Sequence, residues 1–305
     1  SDTVEILSGV FEGKTTGTPV SLIVMNQNQR SKDYSNIMNC YRPGHADFTF
    51  DAKYGIRDYR GGGRSSARET IGRVAAGAVA AKILEQMGIV FTTYAKAIGG
   101  IEVDMHRFER EEIMQNPFYM PDKEAAQKVS AYAEEMMKNK NSIGGIVECR
   151  IQGVPAGIGD PVFEKISANL GKAVLSIGAV KGFEIGDGFL VAESNGAANN
   201  DNFYVTEDGA IAKKTNHSGG TLGGMTDGSE IVFRTAFKPT PSIAQAQETV
   251  TTNMEEVEIE ITGRHDPIIV PRAVVVVESM AAIIILDALL LNMTARLDRI
   301  CEFYN

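Results

Sequence analysis

The chain has 305 residues, 43% hydrophobic and 23% charged, with a formal net charge of -9 at neutral pH. That balance fits a soluble globular protein with a sizeable core, read as one domain over residues 1–305, and argues against general nucleic-acid binding. Three cysteines far apart (Cys40, Cys149, Cys301) and four scattered histidines exclude a disulfide framework and leave no metal-ligand motif. With no signal peptide visible, the expected location is the cytoplasm.

Residues 4–11 alternate as a strand, and Val20 to Met25 reads as its hairpin partner. Gly13-Lys14-Thr15 is not a phosphate loop, because Ser8 stands where that pattern needs glycine. A polar loop over 26–44 runs into Arg42-Pro43-Gly44-His45-Ala46-Asp47. His45, the side-chain type that titrates near neutrality, lies in a loop beside an arginine, so a catalytic role weighs as much as a structural one.

The stretch from Arg57 to Arg73 packs five arginines and three consecutive glycines. Ser66 and Glu69 stand at capping-box spacing before an apolar run, which predicts a helix from Ser66 to about Met87, closed by Gly88. Free N–H groups at a helix start, glycines that admit close backbone approach and bidentate guanidinium donors describe a site for a small molecule with several negative charges. The bland alternative is a solvated face or a subunit contact.

Residues 89–98 read as a strand, and the charged, Met-rich 104–140 as a surface helical excursion with an exposed His106. Another strand covers 144–151. Phe163 to Val174 has helical period, with Phe163, Ile166, Leu170 and Val174 on one face. A strand between glycine turns follows over 176–188. Residues 216–224 hold four glycines in nine positions, a loop where function and simple packing are equally good readings. Ile231 to Phe237 alternates as a strand. Lys238-Pro239-Thr240-Pro241-Ser242 is an extended segment, either a phosphate arm or a rigid connector. A strand over 256–261 delivers Gly263-Arg264-His265-Asp266-Pro267 to a loop before an apolar helix near 273–292. Glu278 and Asp287 break that run, so it reads as a core helix and not a membrane span. Hairpin-connected strands between long helices predict an α+β fold with antiparallel sheets, and no Gly-x-Gly-x-x-Gly follows a strand, so a dinucleotide fold is unsupported.

Arg42 to Asp47, Lys53-Tyr54-Gly55 with Arg57-Asp58, Gly63 to Thr70, Val180 to Gly188, Asn216 to Gly220, Lys238 to Ser242 and Gly263 to Pro267 together resemble the signatures of chorismate synthase, in that family's order and across essentially the whole chain. The resemblance implies a β-α-β sandwich with long helices packed between antiparallel sheets, and a homotetramer. It implies 5-enolpyruvylshikimate 3-phosphate (EPSP) as substrate, chorismate and phosphate as products, and reduced FMN as cofactor. The reaction it implies is an anti-1,4-elimination in which the flavin lends electron density and its N5 region takes the proton. By position, His45, Ser66 and Asp266 take catalytic roles. Arg64, Ser65, Ser66, Gly178, Ala179, Gly223, Lys238, Pro239, Thr240, Pro241, Ser242 and Arg264 take flavin-binding roles. Arg68 and Arg264 hold the substrate's anionic groups, with Arg42 assisting. The family also carries an early Phe-Gly-Glu-Ser-His-Gly segment whose histidine protonates the departing phosphate, and further substrate-binding arginines. These do not occur in this chain, and loss of a general acid costs about 10²–10⁴-fold, so the expectation is a folded but poor catalyst. Two other functions stay open, an NADPH-dependent flavin reductase and a non-catalytic FMN- or phosphate-binding module. No nucleic-acid or membrane partner is implied.

Overall fold

The computed structural model describes residues 3–26, 37–60, 66–261 and 266–305. The chain opens with β1 (Val4–Ser8), β2 (Val10–Phe11), β3 (Lys14–Thr15) and β4 (Ser21–Val24). β1 and β4 pair antiparallel as expected, with β2 and β3 a small hairpin between them; Gly13 lies in the turn of that hairpin and Lys14-Thr15 is its second strand. Next come α1 (Asp47–Tyr54), α2 (Thr70–Gln86), β5 (Val90–Ile98), β6 (Ile101–Glu102), α3 (Lys123–Lys138) and β7 (Gly145–Gln152). Then follow α4 (Ile166–Leu175), β8 (Val180–Ile185), α5 (Gly196–Asn199), β9 (Phe203–Val205) and β10 (Ile211–Lys213). The last elements are β11 (Thr221–Leu222), β12 (Met225–Thr226), β13 (Ile231–Phe237), β14 (Ala246–Val250), β15 (Glu256–Glu260), α6 (Val270–Asn292) and α7 (Leu297–Tyr304).

The central sheet has five strands in the order β6-β5-β7-β13-β8, and every pairing is antiparallel. β13 shows why. Ile231, Phe233, Thr235 and Phe237 are buried on one face, while Val232, Arg234 and Ala236 fall on the other. Registered neighbours continue each face, Thr93 beside Cys149 beside Phe233, and Tyr94 beside Glu148 beside Arg234. The first face receives α6 and α4. The second carries a row of charges in which Glu148 accepts from the Tyr94 hydroxyl, from Arg150 Nε at 2.8 Å and from Arg234 Nη1 at 3.3 Å.

α6 is long and apolar enough to cross a membrane by composition. Here it is the core helix, with Val277, Ala281, Ala282 and Ile285 wholly buried between the sheet and α2. Outside α2 lies the β1–β4 hairpin, where Leu22 and Val24 face Ile71 and Ala75 across a cavity of about 250 Å³. Sheet, helices and hairpin are thus stacked in β-α-β order.

Three local expectations change. The predicted capping box is only half formed. Ser66 Oγ accepts from Arg68 N at 3.3 Å and caps a 3-10 turn, Ala67–Glu69, ahead of α2. Glu69 turns away to Arg73 Nε at 3.0 Å, because an arginine at i+4 offers a charged partner. Phe163 is not part of the buried face of α4; it precedes the helix and is 86% exposed, whereas Ile166, Leu170 and Val174 are fully buried. The 104–140 region is not only surface, since α3 buries Ala125, Ala126, Val129 and Ala133.

The glycine-rich 216–224 loop has a packing explanation. A Cβ on Gly219 would stand 2.3 Å from Gly186 N, so the two backbones are in contact. Lys213 organises the loop from inside, its ammonium bonded to Asp227 at 2.7 Å, Ser218 at 2.7 Å and Asp201 at 3.2 Å.

Candidate active site

The loop before α1 folds back on the first residue of that helix. Arg42 donates to Asp47 from its backbone N (3.2 Å), Nε (2.7 Å) and Nη2 (2.9 Å). His45 Nδ1 lies 2.9 Å from Asp47 Oδ1. Burial alone would raise the Asp47 pKa, but hydrogen bonds from Arg42 and His45 outweigh it and hold the carboxyl well below the usual carboxylate range. Arg42 Nη2 lies 3.0 Å from the same His45 Nδ1, so Asp47 and Arg42 together fix the ring through that nitrogen. Arg42, with a side chain only 9% exposed, is largely committed to this clamp.

Lys238, which is 194 residues away, donates its ammonium to the Gly44 carbonyl. Gly44 has φ +68°, and a Cβ there would stand 3.2 Å from Pro241 Cβ, so this turn needs glycine both for its backbone and for its contact. The backbone of Lys238 donates to Ala179 O at 2.9 Å, and Ala179 itself is left-handed at φ 72°. Thr240 O accepts from Ser142 Oγ at 2.7 Å. The next residue, Ile143, donates to Pro267 O at 2.8 Å. The Asp266-Pro267 segment is therefore tied to the same short connector as Thr240. Asp266 pairs with Arg272 Nη2 at 3.0 Å.

Arg73 closes the circuit. From α2 it reaches the end of α4, where Nη1 donates to Ser176 Oγ at 2.6 Å and Nη2 to Ser176 O at 3.1 Å. This sets the Ser66-to-Arg73 helix start beside the turn holding Gly178 and Ala179. Residues 42–47, 66–73, 176–179, 238–242 and 266–267 thus form a continuous chain of contacts. Sequence reasoning counted Arg73 among the five arginines of the anion-site stretch but not as a tie to α4, and missed Ser176; the only local signal was the Glu69–Arg73 spacing.

The electrostatics of this cluster are lopsided. Arg68 is exposed, and no carboxylate among the described residues pairs with Arg68, Lys181 or Lys238. Burial and the neighbouring charge of Lys181 both push the Lys238 ammonium below its ordinary pKa. Thr240 Oγ1 is buried with no hydrogen-bond partner among the described residues. A Cβ on Gly178 would meet nothing within 4 Å, so that turn is open on one side. A separate cavity of about 940 Å³ lies between α3 and α6 and meets this region only at Pro267, Ile268 and Arg272.

A family model described as chorismate synthase matches residues 1–290. The chain belongs to the chorismate synthase family. A chorismate synthase of Agathobacter rectalis is 67% identical over 303 residues, covering 99% of this chain and 82% of that protein. One from Lachnospira eligens is 64% identical over the same length, again covering 99% and 82%. A crystal structure of chorismate synthase superposes with a TM-score of 0.75 at 32% identity, covering 96% of this chain and 80% of that one. The protein is accordingly an enzyme, a lyase of the shikimate route of aromatic biosynthesis.

Against the positions that chorismate synthase motifs mark, the structure gathers His45, Ser66, Arg68, Gly178, Ala179, Lys238, Pro239, Thr240, Pro241 and Asp266 along the chain of contacts just described. Ser242 is buried at the end of the same extended segment. Gly223 sits apart. It adjoins Gly224, whose carbonyl receives the Ile166 N–H at the start of α4, so the ten residues of that helix, about 15 Å, separate it from Ser176. Arg64, Ser65 and Arg264 lie outside the described residues.

Proposed function

We propose that this cluster holds reduced FMN and EPSP side by side and that the chain converts EPSP to chorismate and phosphate by anti-1,4-elimination. The observation that carries this reading is the surplus of cationic and donor groups at one place, Arg68, Lys181 and Lys238 without carboxylates and Thr240 Oγ1 buried without an acceptor among the described residues. A buried hydroxyl left unpaired costs roughly 1–3 kcal/mol, and a phosphate oxygen would relieve it. FMN brings one phosphate; EPSP brings a second and two carboxylates. The residues present therefore fit both molecules.

When bound, the reduced flavin supplies electron density for loss of phosphate from C3 and accepts the proton leaving C6. The chain's own groups bind and orient. Lys238 to Ser242 and the Gly178-Ala179 turn hold the flavin, with Arg64, Ser65, Ser66 and Arg264 adding to that contact. Arg68 and Arg264 grip the anionic groups of EPSP, which fixes the reacting carbons against the ring. His45, its ring fixed through Nδ1 by Asp47 and Arg42, would use Nε2 for the proton that neutralises the reduced cofactor. Asp266 would be the carboxylate that helps the flavin N5 act as base toward the C6 proton.

The same reading takes residues 1–305 as one domain of a cytoplasmic homotetramer. Large apolar side chains at the surface support association, among them Phe189 at 83%, Ile211 at 76% and Val205 at 72% exposure. The test is anaerobic chorismate formation from EPSP with dithionite-reduced FMN. Turnover above the enzyme-free rate is expected. FMN binding with no chorismate formed would leave a binding module in its place.

A further inference from the structure

The pairing of β8 with β13 skips a residue. Ala236 opposes Gly182, but Phe237 opposes Val180. Lys181 is therefore the extra residue of a β-bulge, with no opposite number on β13. Bulges turn side chains out of the normal alternation and collect at sheet rims and beside active sites. The residue that follows Phe237 is Lys238. Two lysines thus flank one registered pair, Val180 and Phe237, at the end of the sheet where Ala179 accepts the Lys238 N–H. Lys181 is exposed and near enough for its charge to act on Lys238. Like charges near each other without a counter-ion repel, and the Gly44 carbonyl that Lys238 reaches answers only one of the two, so folding gives no reason for Lys181 to stand here. Thr240, two residues beyond Lys238 and also before a proline, adds the buried hydroxyl that lacks an acceptor.

We propose that Lys181 and Lys238 form a two-lysine clamp for a phosphate group, with the Thr240 hydroxyl as a third donor. The clamp rests on the cofactor and substrate reading above and adds Lys181 to it. A phosphate could come from FMN or from EPSP, and the chemistry of recognition is the same for both.

The experiment titrates FMN, riboflavin and EPSP separately into the full chain and into its Lys181→Gln and Lys181→Arg variants, following flavin fluorescence and binding heat. Lys181→Gln should weaken FMN about tenfold, the loss of one charge-assisted contact. Riboflavin, which has no phosphate, should bind both proteins alike, and Lys181→Arg should recover most of the FMN affinity. Weakening of EPSP with FMN unchanged would support the clamp and give its phosphate to the substrate. Equal affinity of Lys181→Gln and the unaltered chain for both phosphorylated ligands would overturn the clamp. An equal loss for riboflavin and FMN would also overturn it, by assigning Lys181 to the turn rather than the phosphate. If the unaltered chain binds no FMN, the cofactor reading fails by itself and the EPSP arm still decides the clamp. Unchanged circular dichroism and melting temperature are expected for Lys181→Gln, because its exposed side chain has no partner among the described residues.

Discussion

Arg73 joins the start of α2 to the end of α4 through two hydrogen bonds to one residue, 2.6 Å to Ser176 Oγ and 3.1 Å to Ser176 O. Its guanidinium is engaged by Ser176 and Glu69, and it sets the Ser66-Arg68 corner against the Gly178-Ala179 turn. Replacing it by methionine should cost about 2 kcal/mol of folding stability, the range for hydrogen bonds from a charged donor. It should also weaken FMN, while Arg73→Lys, which keeps one donor, retains part of both. Urea denaturation and flavin titration check the two effects, and unchanged flavin affinity would reduce Arg73 to a packing residue.

His45 and Arg68 divide the proposed site into proton handling and substrate grip. His45→Ala should lower turnover about 10²-fold or more, the range for a positioned acid or base, and leave FMN binding largely intact. Arg68→Ala should weaken EPSP more than FMN. Titrating each ligand into each variant separates the two roles, and loss of FMN binding in His45→Ala would contradict the assignment.

Gly77 marks the crossing of α2 over α6. A Cβ there would stand 2.2 Å from Ser279 Cβ and 2.5 Å from Ser279 Cα. Part of that obstruction is backbone, so rotamer changes cannot clear it. Gly77→Ala should destabilise the protein by about 1–3 kcal/mol, the cost of overpacking a tight core, although alanine favours helix. A raised melting temperature would show that the helices separate freely.

Asp122 gives a pH dependence of known sign. Its side chain is fully buried at the cap of α3, accepting from Glu124 N at 3.0 Å and Arg107 Nη2 at 2.8 Å. Burial opposes ionisation, but the Arg107 and backbone hydrogen bonds prevail and lower its pKa to about 2. The folded value lies below the unfolded one, so the stabilisation is complete above the unfolded pKa. It is lost as pH falls from about 4 towards 2, roughly 2 kcal/mol in all. Asp122→Asn should remove that part of the acid sensitivity, which parallel urea titrations across this pH range would show.

Much of the architecture was legible because its signals are local. The two-residue period of Ile231 to Phe237 and the apolar run of α6 announce a strand and a core helix before any partner is known. α1 was not foreseen, since eight residues offer too little apolar period, and β14 was missed because its exposed, polar pattern carries no core face. Residue chemistry singled out the arginine stretch, the Lys238 arm and the His45 loop, whose described parts the structure links through Lys238 to Gly44 and Arg73 to Ser176. It could not show Glu69 leaving its capping position for Arg73, which depends on side-chain choice among nearby partners.

What the sequence determined by itself was the kind of element each segment forms and the charge it carries, because backbone preference and hydrophobic period act over a few residues. The tertiary structure decided which charges meet. Lys238 reaches Gly44 and Arg73 reaches Ser176 only after the sheet and its helices have packed. Lys181 leaves the ladder only once β8 and β13 have settled their register. Such contacts follow the burial of whole faces, which no short stretch of chain specifies alone.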